Sequence, residues 1–553
     1  MAVNDAKDVA AQVAERVRQE EEKLRQEAAQ KEAAENRKPV AVRQLEISDS
    51  ELLGYLNENR IGDAKLYCRL HRGTVVYVKY WERFLVWVGH HWAEDHYDRA
   101  FSKVEDVCAL YLRLEKNKRA EAAEATDKDE RSAIEAVADM AKRRVALLRD
   151  KNGQDNILLM LRRVENPLTV LPKLLDKKHY LKACPNGVID LRTGDLLPGN
   201  PEDFLLHSIA TEYDPELVRQ EASPCPAVDA YLLASMDGDQ ELVEYIWRLL
   251  GSALITKRRD HVFVIFHGEH GRNGKDTLIK LITHVLGGEL SGDVPVEMFL
   301  QTSQVRNSSA PSPDVLMLRG MCIAWINEAE GGQKFALSKL KKLTGGGFIT
   351  ARGLQDKAMT TWEQTHTPIM TTNELPSAKA DDAAFWCRTQ ILKWPLSFVD
   401  EPKESYEREA DKNLDEKLQA EAKGVLARMV KGGLQVLKDG RLLVPEKIKQ
   451  WTNEQRESWD DVGVFLNEWC IIEDKQEDTS RYKTKIEASE LHKAFCLWYQ
   501  LYRGAKAIQA RTFGILLNKK EIPVKRSNGS WRLGVSLKVE AIDALRDAGG
   551  KDY

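Results

Sequence analysis

The sequence predicts an α/β fold, and three observations carry that expectation. An apolar strand, His261–His267, runs through the glycine-rich turn GEHGRNGKDT into LIKLITHVLGG, whose apolar residues recur at helical spacing and whose end carries glycines. Two more apolar runs, Met321–Ile326 and the TPIMTT of TPIMTTNELP, each end in polar residues. Mixed strand and helix patterns precede this block, and two helices with a hairpin follow it.

A chain of 553 residues has length for three or four domains, each with its own core. The expected division is a charged helical or mobile tail at 1–44, a mixed α+β domain at 45–215, an α/β core at 216–400, a helical linker region at 401–460 and a helix–hairpin unit at 461–553. The tail is rich in Ala, Glu, Gln, Lys and Arg with few large apolar residues, the composition of a solvated extension or a partner helix. Strand-like runs TVVYVKY and ERFLVWVG open the mixed domain and charged helix formers follow them. ACPNGVIDLRTGDLLP adds hairpin chemistry, with turns at Asn186-Gly187 and Thr193-Gly194.

Composition excludes several classes. A hydrophobic content of 43% with 30% charged residues describes a soluble globular protein. No stretch approaches the roughly 18 uninterrupted apolar residues of a membrane span, and the N-terminus lacks the apolar core of a secretory signal, so a cytoplasmic location without membrane contact is expected, in a prokaryotic host or a virus-infected cell. The eight cysteines are scattered without a CxxC pair, against both a disulfide framework and a zinc ribbon. The net charge of −4 leaves nucleic-acid contact to local patches.

Strand, glycine-rich turn, lysine and helix form the context of a P-loop, in which backbone N–H groups at a helix N-terminus cradle phosphates. Gly271, Asn273, Gly274, Lys275, Asp276 and Thr277 are the candidate ATP-binding residues, with Lys275 reaching the terminal phosphates. Two departures from G-x-x-x-x-G-K-[ST] stand out. Gly268 lies one residue too early, and Asp276 occupies the position of the magnesium-binding hydroxyl. Asp276 could offer a carboxylate to Mg2+, or Thr277 its hydroxyl after a small shift, and the pattern admits both.

The second strand ends in Asn327 and Glu328, acidic chemistry at a strand terminus of the Walker B kind. Glu328 is the candidate for polarising the attacking water, with Asn327 or Glu330 assisting magnesium. The third strand ends in Thr371, Thr372 and Asn373, and an amide beside a γ-phosphate suits Asn373 to positioning that water; otherwise it is a turn residue before Pro376. In DDAAFWCRTQILKWPLSF, Arg388 is a candidate arginine finger, a group supplied by a neighbouring subunit and worth roughly a thousandfold or more in rate.

These pieces, packed into little more than a hundred residues from Gly268 to Arg388, resemble the core of superfamily three helicases of the AAA+ class. KLKKLTGGGFITARGLQDK looks like that family's additional motif and its DNA-contacting hairpin, and WERFLVWVGHHWAED and ACPNGVIDLRTGDLLP are similar to the domain that precedes the ATPase in satellite-phage, plasmid and poxvirus primase-helicases. The resemblance spans about residues 75 to 535. It implies a P-loop ATPase core, an ATP-driven hexameric ring, and Lys341, Lys342, Arg352 and Lys357 lining a DNA channel. Gly347 stands where the family usually has Asp. Paired aspartates with a histidine, the mark of a primase domain in those relatives, are absent from residues 1–150, so a separate primase or polymerase is the expected partner.

From Arg503 to Arg532 there are eight basic residues and one acidic one, interleaved with Phe513 and Trp531. Helix EASELHKAFCLWYQLY, helix IQARTFGILLNKK and hairpin VKRSNGSWRLGV follow a winged-helix order, with Arg511, Lys525, Arg526 and Arg532 as DNA-contact candidates. The function these patterns predict is an ATP-dependent helicase translocating on single-stranded and forked DNA in the replication of a phage, plasmid or other mobile element. The alternative is a DNA-binding ATPase that loads, regulates or defends without processive unwinding, which the altered Lys275-Asp276-Thr277 and Gly347 favour.

Overall fold

The computed structural model describes residues 46–257, 260–301, 311–327, 333–354, 359–476, 478–504 and 507–549. Its first unit sets strands β1 (Val75–Val78), β2 (Arg83–Trp87), β3 (Trp92–Glu94) and β4 (Thr169–Val170) in the order β3-β2-β1-β4, with β4 parallel to β1 and the rest antiparallel. Helices Asp49–Asn57 and Asn59–His71 and the antiparallel pair Val104–Glu124 and Lys128–Arg149 pack around a core of Leu52, Leu56, Leu66, Val107, Tyr111 and Leu148. Ser48 and Glu51 form a reciprocal capping box on the first helix, and the Asp127 carboxylate caps the last. Asp63 is buried between them, accepting from the Tyr111 hydroxyl at 2.9 Å and from Arg144 at 3.0 Å, and its burial raises its pKa.

Strands β5 (Leu181–Cys184), β6 (Gly187–Asp190) and β7 (Asp195–Leu197) form an antiparallel meander that turns where Asn186-Gly187 and Thr193-Gly194 stand. Asn186 fixes its return by exchanging hydrogen bonds with the backbone N–H and C=O of Tyr213. Cys184, Ile189, Leu191, Ile209 and Tyr213 enter the same apolar core as the helices on one face of the central sheet, and the Ala210 N–H donates to the Leu286 carbonyl at 3.2 Å.

The central sheet comprises β8 (Phe263–His267), β9 (Ser291–Val294), β10 (Ile323–Asn327), β13 (Thr367–Thr372) and β14 (Thr389–Lys393), all parallel, in the order β14-β8-β13-β10-β9. β8 and β10 are apolar runs because both faces of the sheet are covered there, while β9, Ser-Gly-Asp-Val, lies at its edge. Val264, Phe266, Ile323, Trp325, Ile369 and Leu392 face helices Gln240–Leu254, Lys275–Leu286 and Ala422–Asp439. Phe263, Ile265, Ala324, Ile326, Met370 and Ile391 face Phe299, Phe335, Leu340 and Phe385. Between β10 and β13 stand helix Leu337–Thr344 and an antiparallel hairpin, β11 (Phe348–Ala351) with β12 (Thr360–Glu363).

Residues 401–460 are not a linker, contrary to the expected division. Helix Ala422–Asp439 packs on Gln240–Leu254 at backbone contact, and a Cβ added to Gly251 would lie 2.2 Å from the Gly433 nitrogen and from the Met429 carbonyl. Helix Glu446–Ser458 covers the sheet edge, its Thr452 hydroxyl accepting the Ile391 N–H at 3.0 Å. Strands β15 (Ser397–Val399) and β16 (Glu407–Glu409) pair in parallel in the stretch of chain after β14.

The last unit contains helix Asp461–Trp469, β17 (Cys470–Ile472), β18 (Lys485–Glu487), helices Ala488–Arg503 and Ala510–Lys519, β19 (Val524–Arg526), β20 (Ser530–Leu533), β21 (Val535–Leu537) and helix Val539–Gly549. The β19–β20 hairpin turns at Asn528-Gly529, both at positive φ, and β18 completes its sheet. Phe465, Phe495, Trp498 and Phe513 form its aromatic core. Among the described residues no helix is long and apolar enough to cross a membrane.

The glycine contact between the two helices is testable. Gly251→Val should destabilise the chain by about 1–3 kcal/mol or more through forced separation of the helices. Gly54→Ala, with open space at its Cβ, should be neutral or stabilising by about 0.5–1 kcal/mol. Urea unfolding of the two variants gives the comparison.

Candidate functional site

The carboxyl ends of β8, β10 and β13 lie side by side, and the polar residues that end them converge there. β8 passes into the turn at Gly268, and the chain enters helix Lys275–Leu286 through Gly274, which is left-handed at φ 88 and caps that helix. A Cβ on Gly268 would lie 1.9 Å from the Asn273 amide nitrogen and 2.8 Å from Lys275 Nζ. Gly268 thus leaves room for the Asn273 and Lys275 side chains, although it stands one residue off the consensus register. Asn273 is buried and donates from Nδ2 to the His270 carbonyl at 2.6 Å, closing the turn on itself.

Lys275 is only 5% exposed. Its ammonium donates to Asn373 Oδ1 at 2.8 Å and lies 3.5 Å from the Thr372 carbonyl, so the two residues singled out on separate motifs meet directly. On its other side, Asn373 offers its carbonyl to His267 Nε2 at 3.2 Å, and burial lowers the pKa of that imidazole. The Tyr231 hydroxyl donates to the Gly274 carbonyl at 2.6 Å from beneath the turn.

The turn opens on a cleft of about 350 Å³ lined by Arg272–Thr277 and, opposite, by Phe398, Ala410, Asp411, Lys412, Leu414 and Asp415. Asp276 is exposed and Thr277 half-buried, and both face this space. The backbone N–H groups of the first helical turn precede any intrahelical partner, which makes the helix start an anion site. A magnesium ion takes hard oxygen ligands, and the Asp276 carboxylate and Thr277 hydroxyl are of that type. Among the described residues no group of three or more His, Cys, Asp and Glu side chains could hold a metal unaided.

At the end of β10, Asn327 donates from Nδ2 to Asp293 Oδ1 at 2.9 Å and accepts from the Thr371 hydroxyl at 2.9 Å. Asp293, on neighbouring β9, thus joins the acidic edge and was not singled out in the sequence, where its only signal is an acid inside a short strand. Glu328 and Glu330 lie outside the described residues, as does Lys357.

Arg388 stands apart from these groups. Its carbonyl accepts the Phe263 N–H at 2.8 Å, at the amino end of β8, so the length of that strand, roughly 16 Å, separates it from the turn. Its guanidinium donates to the Ala384 carbonyl. Within one subunit Arg388 does not meet Lys275.

Of the channel candidates, Lys341 is held by Asp382 at 2.8 Å, a pair that lowers the Asp382 pKa although burial opposes it, while Lys342 is exposed and Arg352 half-buried. In the last unit Arg511, Lys525 and Arg526 are exposed. Arg532 is not a phosphate contact, contrary to expectation. It is 5% exposed and donates to the Ile522 carbonyl at 2.9 Å, to the Gly514 carbonyl at 2.8 Å and to Asn518 Oδ1, joining helix Ala510–Lys519 to β20. Burial lowers its pKa.

Residues 64–234 match the family described as D5 N terminal like. A mimivirus protein that carries the name of a helicase, L207/L206 of Acanthamoeba polyphaga mimivirus, is 27% identical over 347 residues, 61% of this chain and 35% of its own length. The chain resembles the C-terminal half of D5-type primase-helicases. An African swine fever virus protein named as a primase, C962R, is 23% identical over 249 residues, 43% of this chain and 24% of its own. The chain therefore spans about a third or less of these D5-type relatives. Among solved structures, the apo C-terminal region of NrS-1 shares 13% identity at a TM-score of 0.45, covering 87% of this chain and 100% of that one.

The buried guanidinium yields a prediction that separates structure from binding. Arg532→Ala should cost about 1–3 kcal/mol by leaving buried acceptors unpaired, whereas Lys525→Ala should stay within about 0.5 kcal/mol of the parent. Urea unfolding followed by tryptophan fluorescence distinguishes them.

Proposed function

We propose that this chain is an ATP-dependent motor of DNA replication that moves along single-stranded and forked DNA as a homo-hexameric ring, built on a P-loop core of the superfamily three type. The observation that carries it is the 2.8 Å contact of the buried Lys275 ammonium with Asn373 at the mouth of the glycine-rich turn. A cation withdrawn from water beside helix N–H groups favours a polyphosphate strongly, because field strength rises as water is excluded. With ATP in the cleft, Lys275 and the turn hold the β- and γ-phosphates, and Asn373 is released to orient water. Asp276 or Thr277 is the metal ligand from the helix, and Glu328 is the base. Magnesium supplies charge neutralisation across the phosphates when bound.

Arg388 is the finger in trans in this scheme, and its distance from Lys275 within one subunit suits it to a neighbour's site. Lys342 on helix Leu337–Thr344 and Arg352 just after β11 grip the DNA backbone in the channel, with Lys357 assigned the same role by the resemblance alone. The 461–553 unit acts as a winged helix in which Arg511, Lys525 and Arg526 meet phosphates. Asp276 in place of the metal-binding hydroxyl favours the second scheme, an ATPase that loads or regulates without processive unwinding.

Lys275→Ala should abolish DNA-stimulated ATP turnover, and Glu328→Gln should retain nucleotide binding while blocking hydrolysis. Arg388→Ala should bind ATP normally yet lose about a thousandfold in turnover, and mixing it with Lys275→Ala subunits should restore part of the rate at composite interfaces. Turnover by Arg388→Ala alone at the parent rate removes the finger assignment. A forked-duplex assay separates the schemes, since hydrolysis without strand separation selects the loader. Replacing Lys525 and Arg526 together by Ala should weaken DNA binding at every sequence and lower the salt slope by roughly 1 for each phosphate no longer neutralised.

A further inference from the structure

The glycine-rich turn is held from outside by the segment that follows β14, beginning at the end of the run that carries Arg388. After β14 the Trp394 N–H donates to the His267 carbonyl at 2.6 Å, and the chain crosses above the turn. There the Ser397 hydroxyl donates to the Gly271 carbonyl at 2.8 Å, and the Phe398 N–H donates to the Arg272 carbonyl at 2.8 Å. The Tyr406 ring stacks on His270 at 3.8 Å with the planes 8° apart. Three consecutive turn residues, 270 to 272, thus each have a partner on one strap.

The strap is braced for this task. β15 pairs with β16, the Ser397 N–H donates to the Tyr406 carbonyl at 2.9 Å, and the Glu407 carboxylate accepts the N–H groups of Lys403 and Glu404. Those bonds hold the Glu407 carboxyl below its ordinary pKa. Arg408 anchors the far side on Asp237 at 3.2 Å.

The turn needs such support. Arg272 adopts φ 57, a left-handed conformation unfavourable for a residue with a Cβ, and the register lacks the consensus glycine at 269. Without external bonds the backbone at 270–272 would relax, and ordering it would be charged to nucleotide binding.

We propose that residues 397–409 are a positioning strap for the nucleotide site, in which the Ser397 bond and the Tyr406 stack keep the turn ready for a triphosphate. The proposal rests on the nucleotide function proposed above. Ser397 and Tyr406 act through the turn and are not catalytic residues. Removing them therefore weakens binding while leaving the hydrolytic groups Lys275 and Asn373 in place.

The test uses the full chain, with Kd measured for a fluorescent ATP analogue with Mg2+, beside KM and kcat for ATP. Ser397→Ala and Tyr406→Ala should each raise Kd and KM about fivefold, with kcat within about twofold of the parent. Tyr406→Phe keeps the ring and should bind as the parent does. Equal near-ultraviolet circular dichroism and melting without nucleotide establish that the variants are folded. If either alanine variant is misfolded, Tyr406→Phe against Tyr406→Leu makes the same comparison with the side-chain volume largely kept.

Unchanged Kd in both alanine variants, with binding still lost in Lys275→Ala, overturns the strap and leaves the nucleotide function standing. A parent chain that binds no better than Lys275→Ala overturns both. Equal loss in Tyr406→Phe and Tyr406→Ala assigns the effect to the hydroxyl and overturns the stack.

Discussion

The fold is organised by one desolvated charge, the Lys275 ammonium held beneath a glycine-rich turn. An ammonium in the interior is costly unless neighbours supply oxygen dipoles or opposite charge. Here Asn373 Oδ1 and the Thr372 carbonyl come from the strand lying directly beside β8, which requires β13 to be inserted between β8 and β10. Strand order is thus coupled to the site. Had β10 been the immediate neighbour of β8, its own polar end would have met the lysine, and Asn373 would lie one strand further away. The two-sided apolar sheet fixes that spacing to about 5 Å per strand.

The same order explains how separate polar ends become one edge. Asp293, Asn327 and Thr371 are joined by two hydrogen bonds across three neighbouring strands, and Lys275, on the helix that follows β8, meets Asn373 two residues beyond Thr371. The sheet holds them without any side chain having to reach far. Arg388 directly precedes β14 at the opposite end of the strands, so within one subunit a strand length separates it from Lys275. In the ring proposed above, a neighbour presenting its amino-terminal sheet end to this carboxyl end would bring the two together.

Much of this was legible because local patterns carried it. β8 and β10 are apolar runs ending in polar residues, as a strand covered on both faces is, and β13 carries the apolar Pro-Ile-Met at its centre before its polar end. Asn528-Gly529 and Asn186-Gly187 named their hairpins through turn chemistry alone. What escaped shares a different cause, since it depends on partners distant in the chain. Arg532 reads as a surface cation in a basic stretch, and only the carbonyls of Gly514 and Ile522 make it internal. Residues 401–460 read as a helical linker region, and the Gly432-Gly433 pair inside a helix was the available signal of close backbone approach, with Gly251 opposite it. The strap at 397–409 offers no motif, because its Phe398 bond uses backbone and its Ser397 and Tyr406 are residue types common everywhere.

The altered lysine motif becomes intelligible on the same footing. A consensus P-loop keeps its shape through its own glycines, while in this turn only Gly274, at φ 88, is demanded by backbone conformation, and Gly271 has open space at its Cβ position. The remaining backbone shape is provided by hydrogen bonds from Asn273, Tyr231, Ser397 and Phe398. Pattern matching scores the turn as degenerate because it weighs only what is local. On the nucleotide function proposed above, the shape has been kept while its source has moved, from intrinsic backbone freedom to tertiary support, and that change leaves position 276 under less constraint from the turn itself, as an exposed carboxylate on the first helical turn requires.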